Sequence, residues 1–135
     1  MLQCIVVTPE QTLFDQPADF VALTLYDGEL GVEPGHAPMI GRLGFGELRI
    51  RRDGQVDRYY VEGGFVEVLD DVVSVLTPRA VPADQIDQAV LFEQIASVKT
   101  RGGTTPEATA VRQRTLDQAR AQLRVAQHAY DRASR

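Results

Sequence analysis

The residues of this chain that could do chemistry are few and scattered. His36 and His128 are its two histidines, and Cys4 is its one cysteine. A zinc site draws on Cys and His at short spacing, and neither histidine has an HxH or HxxxH partner or an adjacent cysteine, so no metal site is expected. With no second cysteine there is no intramolecular disulfide, and Cys4 lies in the alternating run LQCIVV, which makes it a core residue. Gly41, Gly44 and Gly46 in GRLGFG have the look of a phosphate loop, but no Lys-Ser/Thr follows and the segment leads into a strand instead of a helix. Ser74 and Ser97 fall in a strand and a helix, without the glycine-flanked elbow that exposes a nucleophile. Glu29 with Glu33, and Asp70 with Asp71, are the carboxylate pairs available for acid–base work; the first reads as loop residues facing solvent and the second as a turn. No catalytic residue and no cofactor is expected.

The densest cluster of special residues is Gly28 to Ile40, GELGVEPGHAPMI, with three glycines, two prolines and His36 in thirteen positions. Gly28 and Gly31 are read as letting the chain turn, Pro34 and Pro38 as stiffening it around Gly35, and Glu29 and His36 as polar groups for a partner. A second reading has His36 hydrogen-bonded within a rigid turn that closes the domain; the two are compatible.

The elements that position this loop are strands. Up to about Val81 the period is two: LQCIVVT, ADFVALTLY, GELRIRR, DRYYVEG, GFVEVL and VVSVLT are interrupted about every 8 to 12 residues by Asp27-Gly28, Asp53-Gly54, Gly63-Gly64 and Asp70-Asp71. That spacing predicts an antiparallel β-sandwich or barrel over residues 1–82. Asp53-Gly54 is the clearest hairpin, because both residues tolerate the positive φ of a type I′ turn.

After Pro82 the period becomes helical. Ile86, Val90, Leu91, Ile95 and Val98 predict a first helix over Ala83 to Val98, with Asp84 and Asp87 at its positive end and Lys99 at its negative end. The stretch from Thr100 to Pro106 supplies a glycine C-cap, threonine N-caps and a proline at the first helical position. A second helix is expected from Pro106 to about Ala133. Leu116, Ala119, Leu123, Ala126, Tyr130 and Ala133 form a heptad seam on it, large residues alternating with alanine. Residues 83–135 are thus a helical hairpin, either one of low local stability that detaches or a permanently docked pair with a solvated arginine face.

Charge divides at the same place. The net charge is −5, yet residues 1–98 carry 16 acidic and 6 basic side chains, and residues 99–135 carry 3 and 8. The basic helix has Arg112, Arg114, Arg120 and Arg124 along its length. Nucleic acid is a poor match for it, given the acidic body and a helix whose one aromatic, Tyr130, belongs to the seam. No apolar run approaches the ~20 residues of a membrane span, and the N-terminus has no signal-peptide pattern.

GELGVEPGHAP, then GELRIRRDG, YVEGGFVEVLDDVVSVLT and an IDQA helix start together resemble, in order, the epsilon subunit of bacterial and chloroplast F-type ATP synthases. The resemblance implies a ten-stranded sandwich followed by two helices, with no catalysis of its own. It implies a central-stalk rotor subunit that clasps the gamma subunit and rests on the ring of c subunits at the cytoplasmic face of a bacterial inner membrane, without being embedded in it. Glu29 and His36 match family positions that face the c-ring loops. Arg112, Arg114, Arg120 and Arg124 match the basic character of a hairpin that, in many members, extends to the beta subunits of the catalytic head and blocks ATP hydrolysis.

Two positions depart from the family pattern. Some members bind ATP through Ile/Leu-Asp-x-x-Arg-Ala at the first helix, whereas here Ile86 and Asp87 are followed by Val90 in place of the arginine, which cannot pair with a triphosphate. Glu33 stands where an apolar or aromatic residue is usual. The alternative class is a freestanding β-sandwich that binds a ligand or, through its basic arm, a nucleic acid.

Overall fold

A computed structural model describes residues 1–100 and 102–133, with side chains as far as His128. The chain divides into two compact units, Met1–Pro82 and Ala83–Arg135. The first unit contains β1 (Leu2–Val7), β2 (Thr12–Ala18), β3 (Phe20–Leu25), β4 (Gly28–Val32), β5 (Met39–Arg42), β6 (Phe45–Arg52), β7 (Gln55–Glu62), β8 (Phe65–Leu69), β9 (Val72–Leu76) and β10 (Ala80–Pro82). They form two five-stranded sheets: sheet A in the order β2-β1-β9-β8-β5, and sheet B in the order β10-β7-β6-β3-β4.

The sandwich follows from the period-two runs. Leu2, Cys4 and Val6 of β1, Val66 and Val68 of β8, and Val73 and Val75 of β9 point inward from sheet A. Val21 and Leu23 of β3 and Leu48 and Ile50 of β6 meet them from sheet B in one buried cluster. Each fully buried side chain of this kind contributes roughly 1.5–3 kcal/mol relative to exposure, so the inward positions alone specify the layer packing.

The expectation of antiparallel pairing needs one correction. β1 runs parallel to β9, with Gln3 opposite Val72 and Val7 opposite Leu76, while the other strand pairs are antiparallel. Turn residues report how consecutive strands pair. They are silent about two strands that meet across most of the domain, which is why the exception was invisible. β2 escaped the period-two reading because Pro17 lies within it; as an edge strand it needs no outward N–H donor there.

Asp53-Gly54 forms the expected turn, with φ of 51° and 76°, and joins β6 to β7. Asp70-Asp71 does the same for β8 and β9, with φ of 51° and 62°. Gly31 is a correction. It does not turn the chain but sits within β4 opposite Ala22, where a Cβ would come within 3.0 Å of the Phe20 ring.

In the second unit a 3-10 turn over Ala83–Gln85 precedes α1 (Gln88–Thr100), and α2 spans Pro106–Ala133. α1 thus begins later than the periodicity predicts, because Asp87 caps it: its Oδ1 accepts the N–H groups of Ala89 at 3.0 Å and Val90 at 3.3 Å. Ile86 consequently lies outside the helix, and Val90 faces out, half exposed, instead of joining the apolar stripe. Thr105 caps α2 by accepting from the Ala108 N–H at 3.1 Å, with Pro106 at the first helical position. Leu91 of α1 buries against Ala119 and Leu123 of the seam, with Ile86 and Ile95 alongside. Tyr130 and Ala133, the last two seam positions, lie outside the described side chains.

Candidate functional site

The GELGVEPGHAPMI stretch leaves one sheet and enters the other. β4 is the edge strand of sheet B, β5 is the edge strand of sheet A, and residues 33–38 make the crossing. Glu33 to His36 is a closed turn: the His36 N–H donates to the Glu33 carbonyl at 3.1 Å. Pro34 occupies its second position and Gly35, at φ 86°, its third, the arrangement of a type II turn. The turn is tied down from outside, since the Gly35 N–H donates to Asp71 Oδ1 at 2.7 Å.

His36 is half-buried, and its Nδ1 donates to the Ala37 carbonyl at 2.7 Å. A carbonyl accepts only, so in the neutral ring this bond sets the proton on Nδ1 and makes Nε2 the acceptor nitrogen. The reading of His36 as hydrogen-bonded within the turn thus holds at Nδ1. Glu29 is exposed near the start of β4 opposite Thr24, beside the Tyr26–Asp27 turn. His36 lies beyond the other end of that strand, so the two are spread along one edge of the domain and are not gathered in a cluster.

A second candidate feature is one that sequence reasoning missed. On the outer face of sheet A, Phe65 (57% exposed) pairs with Leu76 (51%) across β8 and β9, and Leu69 (46%) pairs with Val72. Ile40 of β5, at 74% the most exposed of these, lies opposite Glu67, and Val7 of β1 opposite Leu76. The signal was present: FVEVL and VVSVL are apolar at nearly every position, where a strand with one solvated face alternates cleanly.

The outer face of sheet B carries charge at low exposure, beside Tyr60, which lies opposite Glu47 and is fully buried. Glu47 of β6 accepts from Arg58 of β7 at 2.9 Å and from Arg49 at 3.4 Å, and Glu62 pairs with Arg79 at 3.6 Å.

Nothing in either sheet assembles a catalytic group. Cys4 is fully buried, and burial first, with the nearby Asp15 charge second, pushes its thiol up to about 12, so it is not a nucleophile at neutral pH. Among the described residues no three His, Cys, Asp or Glu side chains gather to hold a metal. A cavity bounded by Leu23, Thr24, Leu43, Gly46 and Val75 has about 10 Å³ of room, the size of a single water.

On α2, Arg114, Arg120 and Arg124 are exposed, the last two one turn apart on one face. Arg112 is engaged within the hairpin: its guanidinium donates to the Gly102 carbonyl at 3.3 Å and to Thr109 Oγ1 at 3.4 Å. At the start of α1 the Asp87 carboxylate is occupied by capping, and Val90 beside it offers no charge.

Residues 1–83 match the family model described as ATP synthase, Delta/Epsilon chain, beta-sandwich domain. The ATP synthase epsilon chain of Rhodopirellula baltica is 49% identical over 123 residues, covering 91% of this chain and 96% of the relative. The chain belongs to the ATP synthase epsilon family. The epsilon chain of Granulibacter bethesdensis is similar at 35% identity over 128 residues, covering 91% and 95% of the two chains. As an epsilon-family chain it is a non-catalytic accessory subunit of the rotary complex. Two solved structures share its fold. A chain in the Euglena gracilis mitochondrial ATP synthase OSCP/F1/c-ring structure matches with a TM-score of 0.73 at 24% identity, over 98% of this chain and 81% of that one. A chain in the Tetrahymena thermophila mitochondrial ATP synthase central stalk/c-ring structure matches with a TM-score of 0.68 at 13% identity, over 93% and 96%. No described helix is long and apolar enough to cross a membrane.

Proposed function

We propose that this epsilon-family chain is a rotor subunit of the central stalk, coupling the catalytic head to the c-ring at the cytoplasmic face of a bacterial inner membrane. Its sandwich, residues 1–82, docks on the gamma subunit through the outer face of sheet A. Residues 83–135 form a regulatory arm directed at the beta subunits.

The observation that carries this reading is the apolar outer face. A folded domain that leaves Ile40, Phe65, Leu69 and Leu76 exposed on one sheet has an unfinished surface of the kind that marks a protein interface. Among the family's partners, gamma is the one the sandwich clasps, and an apolar face suits a permanent contact.

Ring contact falls to Glu29 and His36, with Gly28, Pro34, Gly35 and Pro38 shaping the segment that bears them. Because the two polar residues are spread along β4 and its exit turn, a ring contact that uses both runs along this edge. For the arm, Arg114, Arg120 and Arg124 are free to meet an acidic segment, while Arg112 holds the hairpin connection. Val90 in place of arginine, with Asp87 spent on the helix cap, argues against nucleotide binding at Ile86 and Asp87.

Co-purification with recombinant gamma subunit and the catalytic head tests the reading, followed by ATPase rates with the full chain and with residues 1–82. Binding of both forms, with faster hydrolysis for the shorter one, is the expected result. Equal rates remove the inhibitory arm and keep the rotor role; no binding by either form removes the rotor role.

A further inference from the structure

The Glu33–His36 turn closes on itself but is also tied to a distant part of the chain. Its internal bond, His36 N–H to the Glu33 carbonyl, closes the turn but does not set where it stands. Between its anchors in β4 and β5 the turn is tied by Asp71, 36 residues further along the chain, whose Oδ1 accepts the Gly35 N–H at 2.7 Å. Asp71 is itself fixed twice. It occupies the β8–β9 turn at φ 62°, a conformation aspartate tolerates. Its backbone carbonyl accepts the Gln3 N–H at 2.8 Å. One residue therefore links β1, the β8–β9 turn and the loop that crosses between the sheets.

We propose that Asp71 is the positioning residue of the docking loop: its carboxylate pins Gly35, and so fixes where His36 is presented to a partner. The inference rests on the rotor reading above, in which this loop meets the c-ring. The acceptor geometry explains the choice of residue. A side chain here must accept one N–H bond across a gap while its own backbone sits in the left-handed region, and aspartate and asparagine do both.

Two substitutions separate the side chain from the backbone. Asp71→Gly keeps the left-handed turn and removes the acceptor, whereas Asp71→Asn keeps the turn and an amide oxygen in the acceptor's place. In the full-length chain, amide exchange followed by NMR is expected to accelerate at Gly35 by roughly 2- to 10-fold in Asp71→Gly, the worth of one hydrogen bond, and to change by less than about twofold in Asp71→Asn. The Gln3 amide is the internal control, because its acceptor is the backbone carbonyl that both variants retain. Affinity for an immobilised gamma–c-ring subcomplex is expected to fall roughly 2- to 10-fold for Asp71→Gly and to be restored in Asp71→Asn.

Unchanged Gly35 exchange in Asp71→Gly overturns the clamp, whatever the affinity does. Faster exchange with unchanged affinity overturns the loop's part in docking. Failure of the wild-type chain to bind the subcomplex is the distinct result that removes the rotor reading itself, and the clamp is then judged on exchange alone.

Discussion

The two sheets of the sandwich bury similar side chains inward and do opposite things outward. Sheet B closes its surface with paired charges, Glu47 with Arg58 and Arg49, and Glu62 with Arg79. Sheet A leaves Phe65, Leu76, Leu69 and Ile40 exposed. Both halves of a β-sandwich need only their inward residues to fold, so outward positions are open to other demands. The difference teaches where those demands fall: the charges of sheet B satisfy one another at low exposure, whereas the apolar residues of sheet A stay open to solvent.

The largest expected effect breaks this comparison outright. Replacing Phe65 and Leu76 together with serine makes the outer face of sheet A resemble an ordinary solvated one. Affinity for the gamma subunit is expected to fall by about 100-fold or more, as for loss of paired apolar anchors at an interface centre. The melting temperature should change little, because both side chains are already exposed. Isothermal titration alongside thermal denaturation reads both quantities; full-strength binding by the double variant would return the patch to being an unexplained surface.

Glu47→Ala is the mirror experiment on sheet B. It removes the carboxylate that Arg58 and Arg49 share and leaves a guanidinium of low exposure without that partner. A destabilisation of about 1–2 kcal/mol is expected, between the values for exposed and for buried pairs. Gamma affinity is expected to hold. If urea denaturation finds no loss of stability, or binding weakens as much as in the Phe65/Leu76 variant, the two faces do not divide labour as described.

A smaller effect extends the contrast to the arm. Arg120 and Arg124 are exposed one turn apart and belong to no ion pair seen among the described residues. Reversing both to glutamate is expected to relieve inhibition of ATP hydrolysis by roughly 3- to 10-fold, since near-surface pairs contribute about 0–1 kcal/mol each and reversal adds repulsion. ATPase rates of the reconstituted complex check this, and unchanged inhibition would exclude these two arginines as the contact.

These contrasts also explain what was legible before any coordinates. Alternation in GELRIRR carried sheet B, because Glu47, Arg49 and Arg51 at every second position mark the face turned away from the core. The Asp53-Gly54 hairpin, the Thr105 cap and the Pro106 start were legible because each depends on a local backbone requirement. The parallel β1–β9 pair, the late start of α1 and the Asp71–Gly35 bond were not. The first and last join residues far apart in sequence. The second turned on which of two aspartates, Asp84 or Asp87, took the cap, a competition that periodicity does not resolve. For the candidate site, the sequence singles out Glu29 and His36, but their separation along β4 depends on where the strand ends. The apolar face escaped because a strand apolar on both sides reads as one that is buried on both sides.

The smallest effect sharpens the comparison by marking inside from outside on a single sheet. Cys4 points inward from β1, and its thiol is pushed up to about 12 by burial and then by Asp15. At pH 8 it is therefore expected to resist maleimide in the folded chain and to react once urea unfolds it. A raised thiol pKa means that the folded state holds its proton while the unfolded state loses it above about 9. Stability is thus untouched at neutral pH and falls as pH rises from about 9 toward 12. Leu69→Cys places a second thiol on the outward face, where labelling should be fast in the isolated chain. Protection of that cysteine on adding the gamma subunit, with Cys4 silent throughout, would locate the partner on sheet A; continued labelling in a formed complex would move the partner elsewhere.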